Sequence, residues 1–156
     1  MSETFDQFSK NYNLLSDKAI SITGYDTKTL VDTKLKKLKM LYPYLVKRKF
    51  NFLDYGCGIG NLYGSIASFF PQIVYTGVDS SRKSVEEALA RFSEKSDFQE
   101  LDSAQWKKNK YDLIFSSGVF HHISHQEHSS IIKHLSEMLN PKGKLVIWEH
   151  NPINPF

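Results

Sequence analysis

The fold is decided by residues 50–61, which read Phe-Asn-Phe-Leu-Asp-Tyr-Gly-Cys-Gly-Ile-Gly-Asn. A short apolar run ends in an acidic residue, Asp54, and glycines then occupy every second position. Leu62, Ile66 and Phe69 follow at the spacing of one face of a helix. The stretch therefore predicts a strand, a glycine-rich loop and a helix, with a loop backbone bare enough for a ligand to lie against it.

The spacing of the glycines separates the cofactors that such a loop can bind. A dinucleotide-binding loop has the pattern G-x-G-x-x-G, which would require glycine where this chain has Asn61. A phosphate-binding P-loop is excluded as well, because no Gly-Lys-Ser/Thr follows. An acid in the loop would repel a pyrophosphate but suits a ligand with a positive amino group. A glycine-rich turn without any ligand is the alternative.

Composition and charge indicate one globular domain over residues 1–156. Apolar residues make up 40% of the chain and charged residues 24%, and no apolar run is as long as a membrane span. The net charge of +3 is too small to require a nucleic-acid partner, so we expect neither nucleic acid nor membrane. The acidic start of the chain is unlike a secretory signal, and a single cysteine, Cys57, fits a reducing compartment. These features predict a cytoplasmic protein.

Apolar periodicity predicts N-terminal helices over residues 1–48, before a cofactor-binding core over residues 49–151. One helix is expected around Thr4–Leu15, and a second begins at Asp26 as its N-cap and ends near Pro43. The lysines of the second helix are expected to face solvent. The remaining predicted elements alternate along the chain: strands at Ile73–Val78, Phe98–Leu101, Tyr111–Ser116 and Lys144–Trp148, and helices at Leu62–Phe70, after Ser80 or Ser81, and after Ser124. This alternation predicts a parallel sheet covered on both faces.

The same periodicity predicts which helical residues face the core. The expected inward residues are Val31, Leu35, Leu38, Leu41 and Leu45 in the lysine-rich helix, Val85, Leu89 and Phe92 in the next long helix, and Ile131, Ile132, Leu135, Met138 and Leu139 in the last. Ser124 and Glu127 have the spacing of a capping box at the start of that last helix.

The segment Asp54–Gly60 closely resembles the first motif of the class I S-adenosylmethionine-dependent methyltransferases. Similar signals follow in the family's order, and together they cover about residues 25–150. The resemblance implies a doubly wound, mainly parallel Rossmann-like sheet with strand order 3-2-1-4-5. The family's sheet continues with strands 7 and 6, the seventh antiparallel, whereas this sequence ends just after its fifth strand. Strands 6 and 7, which usually wall the acceptor site, are therefore expected to be absent.

The resemblance also implies which residues bind S-adenosylmethionine. An acid at the position of Asp79 accepts both ribose hydroxyls, Asp102 and Ser103 meet the adenine, and residues 116–118 lie under the methionine part. The residues expected to contact the cofactor are Asp54, Gly56, Cys57, Gly58, Gly60, Asp79, Ser80, Asp102, Ser103 and Ser117. Asp79 and Asp102 have an alternative interpretation as turn acids, and Cys57 as a small residue in a tight loop.

Histidines follow the fourth predicted strand, where the resembling family places the methyl acceptor. His121 and His122 are the candidate catalytic residues, because histidine takes protons near neutral pH. Shaping the pocket is their alternative role. His125 is close enough in sequence to suggest a metal site, but there is no H-E-x-x-H motif and no evident carboxylate or cysteine ligand, so we expect no metal. The segment 148–155 resembles methyltransferases of polysaccharide or glycolipid synthesis, and it brings Glu149 to the same place.

The sequence therefore predicts methyl transfer from S-adenosylmethionine to a small molecule, with a sugar or glycolipid intermediate as one acceptor class. A non-catalytic module that binds the same cofactor is the first alternative. A nicotinamide-dependent oxidoreductase is disfavoured by Asn61 and Asp54, and a nucleic-acid-binding protein has only the lysine-rich helix in its favour. An unpaired fifth strand at Lys144–Glu149 is expected to form a homodimer or aggregates, and this 156-residue form is expected to transfer methyl groups poorly.

Overall fold

The computed structural model describes residues 26–92 and 97–149, so the helix predicted around Thr4–Leu15 lies outside the described residues. Helices and strands alternate as the sequence predicts. The helices are α1 (Thr27–Leu41), α2 (Tyr63–Phe69), α3 (Arg82–Phe92) and α4 (His125–Glu137), and the strands are β1 (Phe50–Tyr55), β2 (Ile73–Asp79), β3 (Asp97–Glu100), β4 (Tyr111–Ser117) and β5 (Leu139–Trp148). Three short 3-10 helices join them, at Pro43–Lys47, Trp106–Lys108 and Phe120–His122.

The five strands form one sheet in the order β3-β2-β1-β4-β5, and every neighbouring pair is parallel. This confirms the predicted doubly wound fold. Asp54 at the end of β1 lies opposite Gly77 of β2 and Phe115 of β4. The carboxyl ends of the three central strands therefore meet at one edge, where open α/β sheets bind their ligands.

Two hydrophobic groups cover the two faces of the sheet. The larger contains Leu35, Phe52, Ile66, Phe70 and Leu113, and the smaller contains Leu53, Val78, Trp106, Ile114 and Leu135. Neighbouring residues of β1 thus enter opposite groups. A central parallel strand is buried on both faces, which explains its nearly continuous apolar sequence.

Helix α1 begins as predicted and places one lysine against the core. The Asp26 carboxylate accepts a hydrogen bond of 2.6 Å from the backbone N–H of Thr29. Leu41 was expected to be inward but is 50% exposed, because the helix ends there and the chain turns into Pro43–Lys47. Lys34 is only partly exposed, unlike a residue of a solvated face, because it lies three residues after the buried Val31.

Two predicted core positions in the later helices are wrong. Leu89 is 38% exposed, and the buried position next to it is taken by Ala88, three residues after Val85. Ile132 is 37% exposed, whereas Leu135 is fully buried. In both helices the apolar residues span a wider face than the part of the helix that is buried. Apolar residues at the border of that face are therefore exposed to solvent.

The predicted capping box at the start of α4 is also wrong. Ser124 is the N-cap residue, but its side chain makes no capping hydrogen bond within the described residues. The N–H of Glu127 instead donates to the backbone carbonyl of Ser124, at 2.9 Å. A backbone turn thus satisfies the donor that the serine hydroxyl was expected to bind.

Strand β5 begins at Leu139, five residues before the predicted start. Tyr111 and Leu113 of β4 lie opposite Leu139 and Lys144, so two steps along β4 match five along β5. The extra residues form a bulge. A Cβ atom at Gly143 would lie 2.9 Å from the carbonyl oxygens of Asn140 and Tyr111, so this bulge requires glycine.

Within the described residues, β5 is an outer strand of the sheet. None of its residues is fully buried, and Ile147 is 38% exposed, whereas most of β4 is buried. No helix in residues 26–92 and 97–149 has the length and apolar character needed to cross a membrane.

Candidate cofactor and acceptor site

The glycine-rich loop after β1 is held against the end of β2. The N–H groups of Gly56 and Cys57 both donate to the carbonyl of Val78, at 2.8 and 3.0 Å. Gly56 has φ of +81°, and a Cβ atom there would collide with the side chain of Val119. Gly58 has φ of +53°, but a Cβ atom there would meet nothing within 4 Å. The loop is therefore packed at Gly56 and open at Gly58.

Asp54 is a buried carboxylate directly under this loop. It is 4% exposed, and the hydroxyl of Tyr75 donates to its Oδ2 at 2.7 Å. Burial raises the pKa of Asp54 to about 7, although the hydrogen bond from Tyr75 acts in the opposite direction. Asp79 raises this pKa further and Lys34 lowers it. A cation at the loop would favour the ionised form of this acid.

Asp79 joins the loop to the start of α3. Its Oδ2 accepts the N–H of Gly58 and its Oδ1 accepts the N–H of Ser81, both at 2.8 Å. Burial raises the pKa of Asp79, and these backbone hydrogen bonds only partly offset the effect. Asp79 thus has the turn role that was the alternative interpretation, and its carboxylate still has acceptor capacity left for a ligand.

The other residues predicted at the adenosine end lie around the ends of β2 and β3. Ser80 and Asp102 are exposed, and the hydroxyl of Ser103 donates to Gln99 at 3.0 Å. Asp102 lines a cleft of about 330 Å³ together with Tyr55 and Trp106. The structure therefore places Asp102 beside an open space, while Ser103 has a role within its own turn.

The end of β4 carries two serine hydroxyls that have no partner within residues 26–92 and 97–149. Ser116 and Ser117 both have a buried Oγ without a hydrogen bond among the described residues. A buried polar atom of this kind is costly unless a ligand or water satisfies it. Cys57, by contrast, is an apolar part of the loop: it is buried, and burial raises the pKa of its thiol.

His121 lies in the turn after β4 and is paired with Glu149, which follows β5. His121 Nδ1 is 2.7 Å from Oε2 of Glu149. The other oxygen, Oε1, accepts the N–H groups of Val119 and Phe120, at 2.9 and 3.0 Å. Burial opposes ionisation of Glu149, but the bonds from His121, Phe120 and Val119 together hold its pKa below its usual value.

His122 has a different environment from that of His121. Its ring centroid is 3.9 Å from that of His121. Burial and the neighbouring His121 lower the pKa of His122, and Glu149 opposes this. His128 Nε2 lies 2.9 and 3.0 Å from the carbonyls of Phe120 and Ile123. These contacts join α4 to the short helix Phe120–His122, which is called the histidine turn below. The described ranges contain no group of three His, Cys, Asp or Glu residues arranged to bind a metal ion.

Sequence reasoning missed two residues of this site. Tyr75, in β2, is the hydrogen-bond donor to Asp54. Lys34, on α1, interacts electrostatically with Asp54 and Glu149, and burial lowers its pKa. The sequence position of Lys34 could have indicated its role. Lys34 lies between Val31 and Leu38 on the apolar face of its helix, where a charged residue is unusual.

The family of the chain follows from a match over its central part. The family described as "Methyltransferase domain" matches residues 53–145, from β1 to β5. This is more than half of the chain, and it contains the glycine loop, Asp54, Asp79 and the histidine turn. The chain belongs to this methyltransferase domain family.

Individual relatives resemble parts of the chain. Trans-aconitate 2-methyltransferase of Escherichia coli O139:H28 is 32% identical over 95 residues, which cover 60% of this chain and 36% of that protein. The match thus spans about a third of the relative's length. Magnesium protoporphyrin IX methyltransferase from Synechocystis PCC 6803, solved with bound SAH, is 26% identical with a TM-score of 0.62, covering 77% of this chain and 54% of that one.

The plantazolicin methyltransferase BpumL, also solved with SAH, shares the fold. Its TM-score is 0.68 at 20% identity, and the alignment covers 90% of this chain and 55% of that chain. The parallel sheet described above is therefore the fold of these methyltransferases.

Proposed function

We propose that this chain binds S-adenosylmethionine at the loop after β1 and transfers its methyl group to a small-molecule acceptor. The observation that carries the proposal is the loop itself, which is open at Gly58 and has the carboxylates of Asp54 and Asp79 on either side. Membership of the methyltransferase domain family supports the same function. The relatives' known complexes with SAH indicate the cofactor.

The residues present fit this cofactor. Asp54 would pair with its positive amino group, Asp79 would accept its ribose hydroxyls, and the open backbone at Gly58 would leave room for it. The two unpartnered hydroxyls at the end of β4 would lie toward its methionine part. The full proposed contact set is Asp54, Gly56, Cys57, Gly58, Gly60, Asp79, Ser80, Asp102, Ser103 and Ser117. When bound, S-adenosylmethionine supplies a methyl group on a positively charged sulfur.

The chain's own contribution is to hold the acceptor in line with that methyl group and to exclude water. His121 or His122 would orient the acceptor or take its proton. The relatives are named for small acceptors, trans-aconitate and magnesium protoporphyrin IX among them. We propose a small acceptor for this chain too, and more specifically a sugar or glycolipid intermediate. We also propose that residues 1–156 form one domain and that the protein is cytoplasmic.

A non-catalytic module that binds the same cofactor is the second candidate. The exposure of β5 favours it, because in the part of the chain that the structure describes no residue of this strand is fully buried. The two candidates agree on cofactor binding and differ only in methyl transfer.

Cofactor binding is tested by calorimetry with S-adenosylhomocysteine on the wild-type chain and on Asp79→Ala. We expect the substitution to weaken binding by about 1–3 kcal/mol, because the ribose hydroxyls lose a charged acceptor. The substitution also removes the hydrogen bonds that the N–H groups of Gly58 and Ser81 donate to Asp79. Thermal melting of the variant shows whether it is still folded without them. Heat with NADH but none with S-adenosylhomocysteine would contradict the function. Unchanged affinity in a folded Asp79→Ala variant would leave this acid only its turn role.

We also propose that the chain forms a homodimer through the outer edge of β5. Leu145, Val146, Ile147 and Trp148 are all partly exposed or exposed there, and an apolar strand edge of this kind pairs readily with another chain. Light scattering should therefore show dimers or larger species at about 100 μM, a concentration at which a dimer with a micromolar dissociation constant is populated. Introducing a charge with Ile147→Lys should restore the monomer. A monomeric wild-type chain under these conditions would refute the pairing.

A further inference from the structure

A glutamate after β5 fixes one ring nitrogen of a histidine after β4. Glu149 and His121 are 28 residues apart, and the parallel pairing of their strands brings them together. Their side chains are 25% and 42% exposed, so the pair lies at the surface of the site and not in the core.

The hydrogen bonds of Glu149 determine which nitrogen of His121 carries the proton. Oε1 is occupied by two backbone N–H groups, which can only donate. An ionised carboxylate can only accept, so its Oε2 requires a proton on Nδ1 of His121. Nε2 of the neutral ring then carries the lone pair, and Nε2 is the nitrogen that can take a proton.

The pair lies next to the glycine loop. The side chain of Val119 packs on Gly56, and the backbone N–H of the same Val119 donates to Glu149. The N–H of Gly118 donates to the carbonyl of Trp148 at 2.8 Å, which joins the ends of β4 and β5. A ligand on the loop would therefore have the His121 ring within the same site.

We propose that Glu149 positions His121 so that Nε2 removes a proton from the acceptor, and that the methylated atom is a hydroxyl oxygen. This inference rests on the proposed function. The acceptor oxygen forms a bond to the methyl carbon while the methyl–sulfur bond breaks, and sulfur keeps that electron pair. The hydroxyl proton passes to Nε2, which leaves an imidazolium beside the Glu149 carboxylate, and this proton is later lost to water.

The acceptor class follows from the need for a base. A carboxylate acceptor, such as aconitate, is already ionised at neutral pH and has no proton to remove. A hydroxyl is protonated at that pH, and a positioned base contributes about 100-fold or more to its reaction. Of these two kinds of acceptor, only the hydroxyl requires the base that a fixed His–Glu pair supplies.

The substitution Glu149→Gln tests the positioning role without any acceptor. Its amide oxygen would accept the two backbone N–H groups, so its NH₂ would face Nδ1 of His121 and move the ring proton to Nε2. Nitrogen NMR on the folded, ligand-free chain at one fixed pH should show an Nδ1–H ring in the wild type and an Nε2–H ring in the variant. His122 and Lys34 also interact electrostatically with Glu149 and are unchanged in this comparison. An Nε2–H ring in the wild type would overturn the assignment.

Methyl transfer is then measured with a library of small hydroxyl compounds and with trans-aconitate as the carboxylate probe. We expect transfer to a hydroxyl compound, reduced about 100-fold by Glu149→Gln and by His121→Ala, with unchanged affinity for S-adenosylhomocysteine. His125→Gln, an exposed histidine nearby, is the matched control and should have no effect. Transfer to trans-aconitate alone, or to no hydroxyl compound, would overturn the acceptor class. Absence of S-adenosylhomocysteine binding by the wild type would instead refute the proposed function.

Discussion

Replacing Asp54 with Asn should stabilise the ligand-free protein, strongly at pH 8 and much less at pH 5. The pKa of Asp54 is raised to about 7 by burial, above the value of 3.8 that it has when unfolded. Between these values the folded state binds more protons, so stability is lost as pH rises toward 7. At pH 8 the buried carboxylate is ionised, which lowers the free energy of unfolding. Asparagine carries no charge and removes this cost, and its amide oxygen still accepts a hydrogen bond from the Tyr75 hydroxyl. The expected gain is about 2–4 kcal/mol.

The same substitution should weaken cofactor binding more than tenfold above pH 7, because the positive amino group loses its charged partner. In the wild type, affinity for S-adenosylhomocysteine should rise with pH through about 7, since the ligand favours ionised Asp54. Tyr75, Asp79 and Lys34 also face this carboxylate, and the comparison of wild type with variant isolates Asp54 from them. Melting and calorimetry from pH 5 to 8.5 measure both effects. Equal affinity of the two proteins at pH 8 would contradict the assignment.

Alanine substitution at Gly56 should mainly impair folding, whereas alanine at Gly58 should mainly impair cofactor binding. Both glycines have positive φ, so each substitution carries a backbone cost of about 1–2 kcal/mol. At Gly56 the new methyl group also collides with Val119, which adds about 1–3 kcal/mol of overpacking. At Gly58 it meets nothing in the protein and lies in the space proposed for the cofactor.

Gly56→Ala is therefore expected to lower the free energy of unfolding by about 2–5 kcal/mol, and Gly58→Ala to stay folded but lose cofactor affinity. Urea denaturation and calorimetry on both variants separate the two effects, and each serves as the control for the other. Full cofactor affinity in folded Gly58→Ala would show that the ligand does not lie over this part of the loop.

The fold was predictable from the sequence because its signals are local. The run from Phe50 to Leu62 specifies strand, loop and helix by apolar spacing and glycine, and the alternation of later elements specifies a parallel sheet. Leu89 and Ile132 were predicted wrongly because the width of a buried stripe depends on how closely a helix packs on the sheet. The early start of β5 depends on a bulge whose tight contacts at Gly143 involve the neighbouring strand.

The candidate site was predictable only where one motif carries it. Asp54 and the glycines of its loop stand together in sequence, so their meeting required no tertiary information. Tyr75 and Asp54 are 21 residues apart, and Glu149 and His121 are 28 apart, so these partners become visible only when the strands are placed side by side. The contacts of the proposed cofactor residues with a ligand remain predictions.

Val119 connects the glycine loop to the histidine turn. Its side chain fills the space beside Gly56, and its backbone N–H is bound to Glu149. A ligand that displaces the loop must therefore displace the histidine turn or open a void beside Val119, which costs free energy in a packed interior. An inhibitor that displaces either the glycine loop or the histidine turn is consequently expected to displace the other as well.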